Sequence, residues 1–246
     1  MTDQDLLIRD KYAGDQNANL TEDLARLEKG EPLAYIIGWV PFLGLRIGLD
    51  SRPLIPRPET EWWTEALCAR LEERFKDRPF SLLDLCAGSG AIGLSVLARF
   101  PNAKVTFAEL VSSHVEQIKK NIEANGLDAD RATMYQSDLF EAIVGKRFDI
   151  VATNPPYIPS KRTLDASVTT YEPTEALFAD EDGLSVIRRI AEDAPAHINE
   201  GGELWMECDI DNIEEARELL LTHGAKSAEI RTDLYGRPRV AVGYYK

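Results

Sequence analysis

Asn154-Pro155-Pro156-Tyr157 follows directly on the apolar run 148–153, which has the length and content of a buried strand. In an open α/β sheet, ligands are held at the carboxyl ends of the strands, so Asn154 stands where its side chain can act. Two successive prolines remove two backbone donors and hold φ near −65°, which leaves the carbonyls of Asn154 and Pro155 free to accept hydrogen bonds from another molecule. The matching group is an NH2. The carboxamide oxygen of Asn154 and the Pro155 carbonyl can each take one of its hydrogens, and Tyr157 offers a flat face for a planar group to stack on. Asn-Pro is also a plain turn signal, so the choice between the two readings rests on residues upstream.

Asp84-Leu85-Cys86-Ala87-Gly88-Ser89-Gly90 falls where one strand turns into the next helix, the place where backbone must approach a ligand closely. Glu109 ends the following strand 19 residues after Gly90, about the interval at which an acid meets ribose hydroxyls. Asp138, in Ser137-Asp138-Leu139-Phe140 after a third strand, is placed to face an adenine edge. Singly, each acid reads as a solvated loop residue; together they mark the carboxyl ends of four successive strands. No Lys or Arg stands beside the helix start Ala91-Ile92-Gly93, which favours a nucleoside without phosphates over a pyrophosphate.

These residues need a scaffold. After Pro79 the text alternates: strands at 82–86, 104–108, 132–135, 148–153 and 203–207, with helices at 92–99, 111–125, 183–198 and 213–221, then two strand-like runs at 228–231 and 240–245. That order predicts a doubly wound, mostly parallel α/β sheet closed by an antiparallel hairpin. Ahead of it, 57–61 opens a helix with proline near its first position and acids in its first turn. Residues 35–39 and 45–49 are β-prone runs joined through Pro41 to Gly44, read as a hairpin. Residues 3–29 carry two short helical patterns, with Gly30 as the stop. The division expected is a helical leader at 1–30, a β-hairpin linker at 31–56 and a catalytic domain at 57–246.

A net charge of −14 argues against a broad phosphate-neutralising surface and so against direct nucleic-acid binding, while leaving a basic protein partner open. Three cysteines, Cys68, Cys86 and Cys208, show neither metal-ligand spacing nor a disulfide framework, so no metal is expected and a reducing cytoplasm is the simplest setting. The start of the chain has no basic n-region, and the longest uncharged run, 32–45, is broken by Pro41 and two glycines; neither export nor a membrane span is expected.

The ordered set of Asp-x-x-x-Gly-x-Gly, ribose acid and post-strand Asn-Pro-Pro-Tyr resembles the class I S-adenosylmethionine-dependent methyltransferases. The flanks narrow the likeness. Gly30-Glu31-Pro32, Leu54-Ile55-Pro56-Arg57-Pro58-Glu59-Thr60-Glu61, Tyr171-Glu172-Pro173-Thr174-Glu175, Asp182-Gly183-Leu184 and Gly201-Gly202 resemble the HemK/PrmC family, which methylates the glutamine amide of peptide-chain release factors. The likeness runs from about residue 30 to the end. The departures are a shorter leader than the family's helical domain, Cys86 and Ala87 where Gly and Thr are common, and Glu109 for the usual Asp.

The resemblance implies a seven-stranded class I fold and S-adenosylmethionine as cofactor, bound by Asp84, Cys86 to Gly90, Glu109, Asp138, Leu139 and Asn154. It implies Asn154, Pro155 and Tyr157 as catalytic residues, with Pro156, Arg57, Glu59 and Glu172 also facing substrate. The partner implied is a release factor offering the Gln of a Gly-Gly-Gln tip to a monomeric enzyme. An amide nitrogen has almost no lone pair to give. Acceptors on both its hydrogens would turn it toward the methyl group and stabilise the charge gained in the transition state, so no prior base is needed, and no His stands beside the motif. An RNA adenine-N6 or guanine-N2 methyltransferase presents the same NH2 to the same tetrapeptide, a ribosomal-protein glutamine is a second protein target, and an S-adenosylmethionine-binding scaffold is the non-enzymatic alternative.

Overall fold

The computed structural model describes all 246 residues. The leader begins with α1 (Asp3–Leu6), closed by a capping box in which Thr2 and Asp5 exchange backbone-to-side-chain bonds, and runs on into a wider turn over Leu7–Lys11. After α2 (Thr21–Glu28), the chain enters α3 (Leu33–Ile37) and then the two-stranded hairpin β1 (Trp39–Phe42) and β2 (Leu45–Gly48). The hairpin is present, but residues 35–37, expected in its first strand, are helical. The Pro32 carbonyl accepts the amides of Tyr35 and Ile36, Gly38 ends the turn at φ 91°, and Tyr35 and Ile36 are buried. Tertiary packing, in which Tyr35 is buried with Leu49 and Ile55, thus overrides the β preference of Tyr and Ile.

The main body consists of α4 (Pro58–Phe75), β3 (Phe80–Leu85), α5 (Ala91–Arg99), β4 (Ala103–Glu109), α6 (Ser112–Ala124), β5 (Ala132–Gln136), β6 (Phe148–Thr153), α7 (Ala166–Tyr171), α8 (Ser185–His197), β7 (Ile198–Glu207), α9 (Ile213–Thr222), β8 (Ser227–Thr232) and β9 (Pro238–Tyr244). The sheet order is β5-β4-β3-β6-β7-β9-β8. The first five are parallel, and β9 and β8 add antiparallel, as the alternation predicts. Apolar side chains fill both faces. A core of 25 buried residues lies under α4, α5 and α6, and one of 23 under α8 and α9, so neither face is left to solvent, as parallel strands require. The chain leaves β3 toward β4 and β5, then returns to β6 on the other side, and this reversal opens a crevice at the carboxyl ends. No helix is long and apolar enough to cross a membrane.

The Gly-Glu-Pro block proves to be a clasp. Glu31 accepts from Arg26 of α2 at 2.8 Å and from Arg52 at 2.9 Å, and Arg52 lies 4.5 Å over the ring of Tyr35. The Arg26 guanidinium, with Arg52 beside it, holds the Glu31 carboxyl at about 2, below its ordinary 4.5. Because the folded value is the lower one, this stabilisation is present above pH 4.5 and lost as pH falls toward 2. Glu31→Gln is therefore expected to destabilise the protein by about 1 kcal/mol at pH 7 and to flatten the decline of thermal stability between pH 4.5 and 2. Melting curves across that range check it, and an unchanged slope would show that the clasp contributes nothing.

Candidate active site

Between β3 and α5 the backbone enters the left-handed region three times in five residues, at Cys86 (φ 57°), Gly88 (φ 53°) and Gly90 (φ 81°). For Cys86 this conformation is strained. Asp84 lies beneath the loop. Fully buried, it accepts the amide of Gly93 at 2.8 Å and so ties the first turn of α5 to β3; burial pushes its carboxyl well above the usual carboxylate range. Neither Asp84 nor Gly90 lines the cavity above, whereas Cys86, Ala87, Gly88 and Ser89 do.

That cavity has a volume of about 340 Å3. Glu109, at the end of β4, is one wall, its Oε2 accepting Gly88 N at 2.7 Å and its Oε1 accepting Val111 N at 2.9 Å. A carboxylate has about four acceptor sites, so each oxygen keeps one for a hydroxyl, and two vicinal hydroxyls match the pair. Asp138 and Leu139 form the next wall, with Asp138 paired to Arg189 of α8 at 3.1 Å. Arg189 is the only Lys or Arg lining the cavity, and that pairing leaves no free cation for a phosphate. The cover comes from Leu54 and Pro56 on one side and Pro173, Ala176 and Phe178 on the other.

Asn154 lines this cavity and also a smaller one of about 170 Å3, whose wall includes Pro155, Tyr157 and Arg57. It therefore stands at the junction, with Pro156 on the larger side. Its Nδ2 donates to Thr60 Oγ1 at 3.2 Å. The Tyr157 hydroxyl donates to Glu207, at the end of β7, at 3.0 Å, and burial raises its pKa well above the phenol range. Burial, with Glu109 nearby, pushes the Cys86 thiol up to about 12. Both groups stay protonated at neutral pH, so neither is a base. His114, on the Glu109 side, is lowered by burial and takes Ser51 as a partner at 2.9 Å.

Two residues placed by sequence at the substrate mouth line neither cavity. Glu172 is buried, and its carboxylate receives Arg57 at 2.6 Å and the amide of Ile55 at 3.1 Å. Glu59 is engaged by Arg237 at 3.0 Å. Both acids are satisfied within the protein, and of the three only Arg57 reaches a cavity wall. Sequence reasoning missed Thr60, Arg189 and Glu207. Glu207 carries the same mark as Glu109, an acid closing an apolar strand, while Arg189 has no local signal.

A family model described as the methyltransferase small domain matches residues 62–171. A release factor glutamine methyltransferase of Lactococcus lactis is 34% identical over 237 residues, covering 95% of this chain and 85% of the relative. One from Bordetella pertussis is 37% identical over 222 residues, covering 89% and 80%. The chain belongs to the release factor glutamine methyltransferase family. Coverage of 95% exceeds the stretch from residue 30 onward, so the likeness reaches into the helical leader. Among solved structures, a methyltransferase from Pyrococcus furiosus superimposes with a TM-score of 0.60 at 17% identity, covering 91% of this chain and 98% of that one. The T. thermophilus 16S rRNA N2 G1207 methyltransferase, in complex with AdoMet and guanosine, gives 0.59 at 22% identity, covering 85% and 50%. At those identities the two establish the fold alone.

The methyl donor of a release factor glutamine methyltransferase is S-adenosylmethionine, and the larger cavity fits it. Glycine backbone leaves room at Gly88, where an added Cβ would meet nothing within 4 Å. Glu109 offers paired acceptors to a ribose, and the free cation a phosphate would need is absent.

Proposed function

We propose that this chain methylates the side-chain amide nitrogen of a protein glutamine, the Gln of the Gly-Gly-Gln tip of a peptide-chain release factor, and so acts in translation termination. The observation that carries this reading is the position of Asn154 at the junction of two cavities, one suited to a nucleoside and one narrow enough for a single side chain. In it, residues 86–89, Glu109, Asp138 and Leu139 hold S-adenosylmethionine, which when bound supplies an electrophilic methyl group. Asn154 Oδ1 and the Pro155 carbonyl accept the two amide hydrogens, turning the nitrogen toward the larger cavity and stabilising the positive charge it gains. Pro156 and the face of Tyr157 confine the carboxamide plane. Arg57, held by Glu172, borders the entrance for the glycines of the tip, and Glu59 lies outside it.

The acceptor in this reading is a protein rather than RNA. A chain with 42 acidic and 28 basic residues favours a basic partner and lacks the clustered cations that nucleic acid requires. Behind a leader at 1–30 and a hairpin at 31–56, the domain at 57–246 carries the reaction, and the enzyme works as a cytoplasmic monomer. Label transfer from methyl-labelled S-adenosylmethionine tests this on a release factor, on the same factor with its tip Gln changed to Ala, and on tRNA and rRNA. Labelling of the first alone is expected. Equal labelling of the Ala variant, or preference for RNA, would overturn it.

A further inference from the structure

The carboxamide of Asn154 is nearly symmetric in shape but not in chemistry. Only one of its two orientations presents an acceptor to a substrate NH2; the other presents donors, which would oppose those hydrogens. What selects the orientation lies behind it. Glu207 is 1% exposed, and its Oε2 accepts the indole N–H of Trp63 at 2.6 Å and the hydroxyl of Thr60 at 2.7 Å. Burial raises the Glu207 carboxyl above its usual range, while the bonds from Trp63, Thr60 and Tyr157 favour its charged form; an indole nitrogen only donates, and a carboxylate so engaged only accepts. The Thr60 proton is therefore committed to Glu207, and the Thr60 oxygen has only lone pairs left to offer. Toward such an atom Asn154 can turn only its Nδ2, at 3.2 Å, so Oδ1 is the atom left for the substrate. Glu207 Oε1, engaged by the Tyr157 hydroxyl at 3.0 Å, couples the same carboxylate to the other end of the tetrapeptide.

We propose that Thr60 is a positioning residue for methyl transfer: its oxygen, polarised by Glu207, anchors Nδ2 of Asn154 and keeps Oδ1 facing the glutamine amide. This rests on the reading of the acceptor given above. Thr60 borders the larger cavity too, but its hydroxyl is committed to Glu207 and Asn154 and touches neither reacting atom, so its effect belongs chiefly in turnover rather than in cofactor affinity.

The test measures Thr60→Val, Thr60→Ser, Asn154→Ala and the double variant Asn154→Ala/Thr60→Val, each with release factor and S-adenosylmethionine saturating. Thr60→Val removes the anchor in nearly the same volume and is expected to lower kcat by about ten- to a hundredfold, the scale of one buried polar partner lost. Cofactor affinity should stay within about threefold, and Thr60→Ser should restore most of the rate, because the hydroxyl is what the chain of bonds needs. In the Asn154→Ala background the valine should cost almost nothing further, since an anchor has no value without the group it holds. Thr60→Val at the wild-type rate, or a full additional loss in the double variant, would overturn the proposal and return Thr60 to a packing role. A measurement on wild type alone is independent of any variant's folding. The Asn154 side-chain NH2 signal, assigned by its loss in Asn154→Ala, should exchange with solvent slowly, and exchange at the rate of an exposed carboxamide would contradict the anchor. A wild-type enzyme that leaves the release factor unlabelled overturns the functional reading and this proposal with it, whereas an active wild type with an unaffected Thr60→Val overturns the proposal alone.

Discussion

Asn154→Ala is expected to give a folded protein whose turnover is about a hundred- to a thousandfold slower, the scale for removing one transition-state hydrogen-bonding group. The loss should appear in kcat. As the amide nitrogen attacks, its hydrogens become more acidic, and an acceptor aligned on them is worth more in the transition state than in the ground state. The side chain is half-buried and its only protein partner is Thr60, so its removal leaves no buried charge and should spare the fold. Some cofactor affinity should go as well, because Asn154 also lines the larger cavity. Steady-state rates with both substrates saturating decide the matter, and a variant within threefold of wild type would mean that the nitrogen is held elsewhere.

Glu109→Ala should weaken S-adenosylmethionine binding by about ten- to a hundredfold, since hydrogen bonds to a charged group are worth about 1.5–3 kcal/mol. The structure adds a second route to that loss. The Glu109 carboxylate is also the acceptor for Gly88 N and Val111 N, so its truncation strips both partners and loosens the loop that forms the cavity floor. Binding and loop order are therefore expected to fail together. Calorimetric titration of the folded variant measures the first, and unchanged affinity would remove the ribose assignment.

What the sequence made legible follows from how far apart the partners are. The strand run 148–153 matches β6 residue for residue, because a buried parallel strand declares itself in a few consecutive apolar positions. Glu109 and Asn154, which line the larger cavity, stood out for the same reason, each closing such a run. Residues 35–37 were misread because tyrosine and isoleucine prefer strands on average, and the burial that folds them into α3 depends on distant chain. The short helix α7 carried no signal strong enough to place it. The pairing behind Asn154 was illegible, since Thr60 and Glu207 lie 147 residues apart and meet only after the sheet is assembled. Arg57 and Glu172, 115 apart, show what a local reading leaves out. Each reads as a charged residue at a mouth, and the structure shows them spending much of that charge on each other.

Methyl transfer here depends on a glutamine carboxamide held at Asn154-Pro155, facing the larger cavity. The structure of the enzyme bound to S-adenosylhomocysteine and a Gly-Gly-Gln peptide tests it most directly. The glutamine nitrogen is expected within about 3 Å of both Asn154 Oδ1 and the Pro155 carbonyl oxygen, with the ribose on Glu109. A peptide carboxamide seated away from both acceptors, with the thioether of the cofactor product pointing elsewhere, would contradict it.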